Sequence, residues 1–237
     1  MFQTEVGMRI KIPVALFVVL GSVLIVSSAQ AQNSYLYVAH AASGRGMSTP
    51  TNPALPVDLS VQGICVATGI TYGEIRGLYS VPAGAILIQL TMADYSNPCG
   101  GPSVFIAAVT LGAGGTYYGI LTLDGSGNPA GQIYTADLSP VPVGTSRVAI
   151  INASQDSVSA TFSAAPGAYF PLPAGTLQPF NPLSGLYTIT LVDSNQNLLV
   201  GPVNLDIAQG NTYVYVVAGS AATNVQWIGP AVVHGVF

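Results

Sequence analysis

Two stretches of this sequence decide its fold, YLYVAHA at residues 35–41 and RVAIINA at residues 147–153. Each is a short apolar run that ends in one polar residue, His40 or Asn152, before small residues follow. Short apolar runs rich in β-branched and aromatic side chains are typical of β-strands. Because the two stretches lie about one hundred residues apart, they indicate an internal duplication.

Two further blocks repeat in the same order. A turn that leads into an alternating strand occurs at residues 82–90 (PAGAILIQL) and again at residues 183–191 (LSGLYTITL). A Gly-x-Thr-Tyr turn that leads into an apolar strand occurs at residues 114–117 and again at residues 210–213. Three matched blocks in one order predict a tandem duplication.

The sequence predicts β-structure in both repeats. In residues 187–191 apolar side chains alternate with two threonines, which places the apolar ones on a single face of a strand. Proline and glycine recur about every 8–12 residues, a spacing typical of β-sandwiches. We therefore predict an all-β chain with two tandem β-sandwich domains, residues 32–142 and 143–237, joined by a short and stiff proline-containing link at residues 138–145.

The first 31 residues have the features of a cleaved signal peptide. Arg9 and Lys11 precede an uncharged apolar run at residues 12–26, and an Ala-x-Ala pattern predicts cleavage after Ala31. The apolar run of about 15 residues is shorter than the roughly 20 that a membrane-spanning helix needs. Translation from Met1 or from Met8 would include this signal. The expected location is the periplasm, the cell surface or the extracellular space.

The repeated motifs resemble the domain of unknown function 4397 family. The matching residues are 40–43 (HAAS), 81–84 (VPAG) and 111–117 (LGAGGTY) in the first repeat, and 152–154 (NAS), 184–185 (SG) and 207–213 (IAQGNTY) in the second. The resemblance covers essentially the whole chain after the signal. It implies an exported bacterial protein with tandem immunoglobulin-like β-sandwiches. It supplies no catalytic residues, because the family has no established activity.

The part of the chain after the signal carries little charge. It has no lysine, three arginines and eight acidic residues that are spread singly. A phosphate backbone requires clustered cations, so the composition argues against nucleic acid as a partner. No apolar run after residue 26 approaches the length of a membrane span. The expected partner is a surface polymer, a glycan or a protein, and self-association is left open.

The two cysteines, Cys65 and Cys99, both lie in the first repeat. In an exported chain such a pair predicts a structural disulfide. Proline-rich stretches distinguish the repeats. Residues 44–56 are expected to form an exposed loop after the first strand, and residues 166–182 are the candidate counterpart in the second repeat.

Neither histidine lies in a catalytic or metal-binding motif. His40 ends a strand where the other repeat has Asn152, which predicts that both side chains form a hydrogen bond to the turn that follows. His234 is close to the last residue, and we expect it to be solvated. Two isolated histidines cannot form a zinc site. We therefore predict no catalytic residue, no metal site and no cofactor.

Two acidic turns have oxygen ligands at alternate positions, as a calcium loop does. Asp193, Asn195 and Asn197 form one, and residues 124–128 (DGSGN) form the other. Neither has the glycine at the sixth position or the glutamate at the twelfth that a calcium loop requires. Hairpin turns are therefore the favoured interpretation, and calcium binding by the Asp193 turn is left open.

Three functions fit the sequence. The first is a non-enzymatic binding or adhesion-type module, because rigid duplicated domains are not accompanied by a reactive cluster. The second is a structural subunit that assembles at the cell surface, because sparse charge weakens the repulsion between copies. The third is a hydrolase, which would require His40 or a pair of aspartates in a cleft, and which a screen against esters and glycosides would test.

Overall fold

The computed structural model describes residues 32–42, 55–162, 169–219 and 225–233. The predicted signal peptide, most of the loop predicted at residues 44–56, and His234 lie outside these ranges. The regular elements within them are all β-strands, and none of the described residues belongs to a helix capable of crossing a membrane.

Each repeat forms eight strands. The first repeat contains β1 (Asn33–His40), β2 (Val57–Val61), β3 (Ile64–Ile70), β4 (Ile75–Pro82), β5 (Gly84–Met92), β6 (Ser103–Leu111), β7 (Thr116–Leu123) and β8 (Pro129–Thr135). The second contains β9 (Arg147–Asn152), β10 (Val158–Phe162), β11 (Tyr169–Leu172), β12 (Thr176–Phe180), β13 (Gly185–Val192), β14 (Leu198–Ile207), β15 (Thr212–Ala218) and β16 (Gln226–Val233).

These strands form two β-sandwiches of the same topology. The first combines a sheet of order β4-β1-β7-β8 with one of order β3-β2-β5-β6. The second combines β12-β9-β15-β16 with β11-β10-β13-β14, which is the same order after eight is added to each strand number. The first strand of each sandwich runs parallel to the seventh. We call the sheets that contain β1 and β9 the inner sheets, and those that contain β2 and β10 the outer sheets.

The prediction of an all-β chain with two tandem β-sandwiches is confirmed. The three repeated sequence blocks fall on equivalent strands, namely β1 and β9, β5 and β13, and β7 and β15. Among the described strands, no sheet combines strands of both repeats. The exact domain edges at residues 142 and 143 stay a prediction. Each sandwich has eight strands in two sheets of four, whereas an immunoglobulin constant domain has seven strands in sheets of four and three.

The two inner sheets pack against each other through a third hydrophobic core. This interface core joins alternate residues of β1, β7, β9 and β15 with two residues of β16. Its buried members are Tyr37, Ala39, Ala41, Tyr118, Ile120, Ala149, Ile151, Ala153, Val214, Val216, Ala218, Ile228 and Val233. The described strands therefore form a stack of four sheets, with one core inside each sandwich and one core between them.

Burial on both faces explains why the central strands lack alternation. In β15, Tyr213, Tyr215 and Val217 face the core of the second sandwich, whereas Val214 and Val216 face the interface core. A strand that is buried on both faces requires apolar residues at every position, and parallel strand pairs are usually of this kind. The outer strand β13 is covered on one face only, so it keeps the alternating pattern of a half-buried strand.

A buried arginine fixes the link between the repeats. The guanidinium of Arg147 donates hydrogen bonds to the carbonyl oxygens of Asp137 and Ser139, over 2.7 and 2.8 Å. It also lies 3.1 Å from the Asp137 carboxylate. The Ser139 hydroxyl and amide, followed by Arg147, hold the pKa of Asp137 below its ordinary value. Arg147 of β9 therefore anchors the link, and the prolines of the link stiffen it further.

The sequence predicts that the proline-rich stretch at residues 166–182 is the counterpart of the loop at residues 44–56, and this is wrong for residues 169–172 and 176–180. The structure places β11 and β12 there, and both are edge strands. Pro171 lies within β11 and Pro179 lies within β12. Proline is tolerated in an edge strand, because the N–H that it lacks can belong to the unpaired side.

Candidate functional site

The loop between β5 and β6, residues 93–102, is tied to the outer sheet of the first sandwich by a disulfide. Cys99 in this loop is bonded to Cys65 on β3, with the two Cα atoms 5.7 Å apart. The disulfide that the sequence predicted is thus present. It links the loop to the sheet surface that faces away from the second sandwich.

The buried carboxylate of Asp58 also holds this loop against the outer sheet. The apolar neighbours of Asp58 in β2, Val57 and Leu59, point into the core, so Asp58 points to the outer face, where the loop covers it to 1% exposure. Its carboxylate accepts hydrogen bonds from the amides of Gly69 and Cys99, over 2.8 and 2.9 Å. Sequence reasoning missed this role, although an aspartate within the apolar strand VDLSV is itself a signal of a buried hydrogen-bonded group.

Beside the loop, the outer sheet exposes an apolar surface. Leu87 on β5 and Ile106 on β6 are 41% and 53% exposed, and Ala85 and Ala108 next to them are also exposed. Tyr95 in the loop is 82% exposed, but its ring lies over Gly69 of β3. We call the four sheet residues Leu87, Ile106, Ala85 and Ala108 the apolar face.

The second sandwich is polar at one pair of equivalent positions, whereas the position of Ala85 is occupied by Leu186, which is 80% exposed. In the first sandwich Leu87 pairs with Ala108, and the corresponding pair in the second is Thr188 and Asn204. The Thr188 hydroxyl there donates to the Asn204 side-chain oxygen over 3.3 Å. Duplicated scaffolds with the same core therefore differ in the chemistry of their outer faces. Sequence reasoning missed this difference, because it depends on the strand register.

His40 and Asn152 end β1 and β9, as the sequence predicted, but their hydrogen bonds differ. Asn152 donates to the Asp156 carbonyl oxygen over 2.9 Å and accepts from the Ser154 amide over 3.0 Å, so it binds the turn that follows. The His40 ring instead donates from Nε2 to the Leu55 carbonyl oxygen over 3.1 Å, at the far end of the connection to β2. Within the described residues its Nδ1 is buried without a hydrogen-bond partner.

Burial lowers the pKa of His40, and the hydrogen bond to Leu55 only partly opposes this effect. We expect the free energy of unfolding to fall as pH decreases below about 6.5, because the unfolded chain then takes up a proton that the folded chain does not. The loss ends once pH is below the folded pKa. The His40→Asn variant, which copies Asn152, should remove this loss of stability at low pH, as measured by urea unfolding from pH 8 to pH 5. His234→Asn should retain the loss of stability. An unchanged loss in His40→Asn would contradict the conclusion that His40 causes it.

The two acidic turns use their carboxylates within the turn itself. Asp193, between β13 and β14, accepts hydrogen bonds from the amides of Asn195 and Asn197, each over 2.8 Å. Asp124, between β7 and β8, accepts from the amides of Ser126 and Asn128 in the same way. The Asn197 and Asn128 groups are the main cause of the lowered pKa of the two carboxyls. These contacts support the hairpin-turn interpretation, and the described residues contain no cluster of three potential metal ligands.

Comparison with known proteins identifies the family of the chain. Among solved structures, the Bacillus anthracis TIE protein is similar at 9% identity and a TM-score of 0.26, over 79% of this chain and 34% of that one. This chain thus spans about a third of that protein, and the likeness carries no argument about function. A search of the curated proteins finds no match. A family model described as domain of unknown function (DUF4397) matches residues 34–161, more than half of the chain, and the chain therefore belongs to this family.

Proposed function

We propose that the chain is an exported, non-enzymatic binding or adhesion-type module, and that the apolar face is its contact surface. The observation that carries this proposal is the difference between the two copies. Leu87 and Ala108 occupy exposed positions where the second sandwich has Thr188 and Asn204. Because solvent exposure favours polar residues at such positions, the apolar pair in one copy alone points to a contact.

The composition of the surface suggests the kind of partner. The chain after residue 31 has few charges, and the apolar face itself has none. Exposed aliphatic side chains without charge suit the apolar side of an uncharged sugar or an apolar protein surface. The disulfide and Asp58 hold the loop beside this face in position, which limits the entropy lost on binding.

An exchange of surface residues between the two copies tests this proposal. The probes are purified peptidoglycan, chitin, cellulose and mannan, with binding of the fluorescently labelled chain measured by sedimentation. We expect saturable binding to at least one of them. The double variant Leu87→Thr with Ala108→Asn, which copies the second sandwich, should weaken that binding at least about tenfold, or about 1.4 kcal/mol.

The matched control is Thr188→Ala, which alters the equivalent face of the second sandwich. It should bind as the parent does. Equal binding by the parent and the double variant would reject the apolar face as the contact surface. Absence of saturable binding to all four polymers would count against a glycan or surface polymer as the partner and favour a protein.

The second candidate function is a self-assembling structural subunit of the cell surface. The observation in its favour is that three of the four edge strands of the first sandwich, β3, β6 and β8, contain no charged residue. Charged side chains at a sheet edge commonly prevent pairing with another copy. An open-ended series of oligomers in light scattering would favour this candidate over a binding module.

A further inference from the structure

The edges of the two sandwiches are protected differently. An edge strand has backbone N–H and C=O groups without partners, and another chain can pair with them. In the second sandwich every edge strand contains proline, which removes a donor and blocks pairing. These prolines are Pro171 in β11, Pro179 in β12, Pro202 in β14 and Pro230 in β16.

None of the edge strands of the first sandwich has a proline in its interior, and Arg76 in β4 is their one charged residue. One side therefore lacks both interior proline and charge in both of its layers. It is formed by β6 of the outer sheet and β8 of the inner sheet, and we call it the β6–β8 side. β6 has nine residues with no proline and no charge. β8 has no charge, and its proline is the first residue, Pro129. The equivalent strands of the second sandwich, β14 and β16, both have proline in their interior.

The same side is apolar and incompletely closed. The ring of Phe105 on β6 reaches across to β8, where a β-carbon on Gly131 would lie 2.4 Å from the ring. A cavity of about 50 Å³ lies between the two sheets, and its lining extends from the buried core residue Leu36 to Ala107 on β6 and Ile133 on β8. Small-molecule sites usually have several hundred Å³. The cavity is therefore too small for such a ligand. The apolar side chains of Phe105, Val109 and Ile133 are only half-buried, so apolar surface is exposed at this edge of the sandwich.

We propose that the β6–β8 side is an interface between two copies of this chain, in which β6 pairs antiparallel with β6 of the second copy while β8 lies beside β8. A two-fold axis perpendicular to the sheets brings each edge to its own counterpart with the strand direction reversed. Each sheet then continues from one copy into the next. Because neither strand is charged, the copies meet without like-charge repulsion.

The presence of two open edges is the reason to choose a second copy as the occupant. Packed sheets lie about 10 Å apart, so the β6–β8 side offers two separate rows of backbone groups. A single extended peptide can pair with only one of them. A second copy presents the same two rows at the same separation, and its own Phe105 and Val109 can cover the exposed apolar edge.

This inference goes beyond the proposed binding function and does not depend on it. Pairing through β6 would place the apolar faces of both copies, including Leu87 and Ile106, on the same surface of one continuous sheet. Two contact surfaces on one particle increase avidity without any new contact. The interface is tested without any ligand, so the outcome is separate from that of the polymer-binding experiment.

The test uses a charge placed at the inward-facing edge position. Ala107 pairs with Ile88 and lines the cavity, and the equivalent residue of β14 is Val203, which pairs with Ile189. In a single copy a lysine at position 107 can extend from the open edge into water. In the pair it would be enclosed between two sheets, where an unpaired charge is strongly unfavourable. Val203→Lys is the matched control on the second sandwich.

The measurement is the mass of the exported chain by size exclusion with light scattering, from about 1 to about 100 µM. We expect a dimer for the parent and for Val203→Lys, and a dissociation constant at least about tenfold higher for Ala107→Lys. A parent that is monomeric throughout, a larger open-ended oligomer, or equal effects of the two lysines would overturn the proposal.

Hydrogen exchange provides a second measurement that does not require a variant. The amides of β6 should become more protected as the parent concentration rises, while the amides of β14 should not change. Near-ultraviolet circular dichroism verifies that both lysine variants are folded. Should Ala107→Lys fail to fold, the exchange measurement decides alone, and concentration-independent exchange in β6 would reject the interface.

Discussion

Replacing Val216 by Asp is expected to lower the free energy of unfolding by at least about 4 kcal/mol, because the substitution places a carboxylate without a partner inside the interface core. Val216 is fully buried at the centre of β15, where it pairs with Ile151 on one side and Ile228 on the other. Domains of this size are stable by about 5–15 kcal/mol, so the loss would remove a large part of the total.

Urea unfolding followed by Trp227 fluorescence and by far-ultraviolet circular dichroism is the measurement. Val232→Asp is the control, because Val232 lies on the edge strand β16 and is 41% exposed. It should cost less than about 1 kcal/mol. A loss of similar size in both variants would mean that the two inner sheets are not packed together in solution. For the parent, we expect the two signals to coincide, because the interface core couples the sandwiches.

Removing the disulfide is expected to cost about 4 kcal/mol. The bond between Cys65 and Cys99 spans 34 residues, and closing a loop of this length reduces the entropy of the unfolded chain by about that amount. The double variant Cys65→Ala with Cys99→Ala should therefore unfold at lower urea than the parent. Its strands should still form, because the disulfide lies outside the hydrophobic cores.

Reduction supplies the control for this prediction. Adding a reductant should shift the parent towards the double variant and leave the double variant unchanged. Alkylation of the folded chain without reductant should give no label on either cysteine. Two labels, or a stability loss below about 1 kcal/mol, would show that the bond does not stabilise the protein. Amides in residues 93–102 should lose protection from exchange, while those of the interface core keep theirs.

The fold class could be predicted because its signals are local. Proline and glycine mark the strand ends, and the three repeated blocks fall on equivalent strands of the two sandwiches. The disulfide was predictable from the number of cysteines and the expected compartment. The turn at Asp193 was predictable because the carboxylate bonds to residues only two and four positions further along the chain.

The partners of each strand could not be predicted in the same way. The runs at residues 35–41 and 147–153 indicate strands, but an apolar run does not show which neighbour covers each face. Only the structure assigns Leu36 and Val38 to one core, and Tyr37 and Ala39 to another. Hydrophobic attraction has no direction, so the pattern of one strand is compatible with several neighbours.

The candidate contact surface illustrates the same distinction. The sequence by itself determined two β-rich repeats, a disulfide in the first of them, and a surface with few charges. It did not determine that Leu87 and Ala108 are exposed neighbours, or that Asp58 is buried beneath a loop. These features depend on strand register and on contacts between residues far apart in the chain. A one-residue shift in register would move each side chain to the opposite face of its sheet, so tertiary packing decided which residues are exposed.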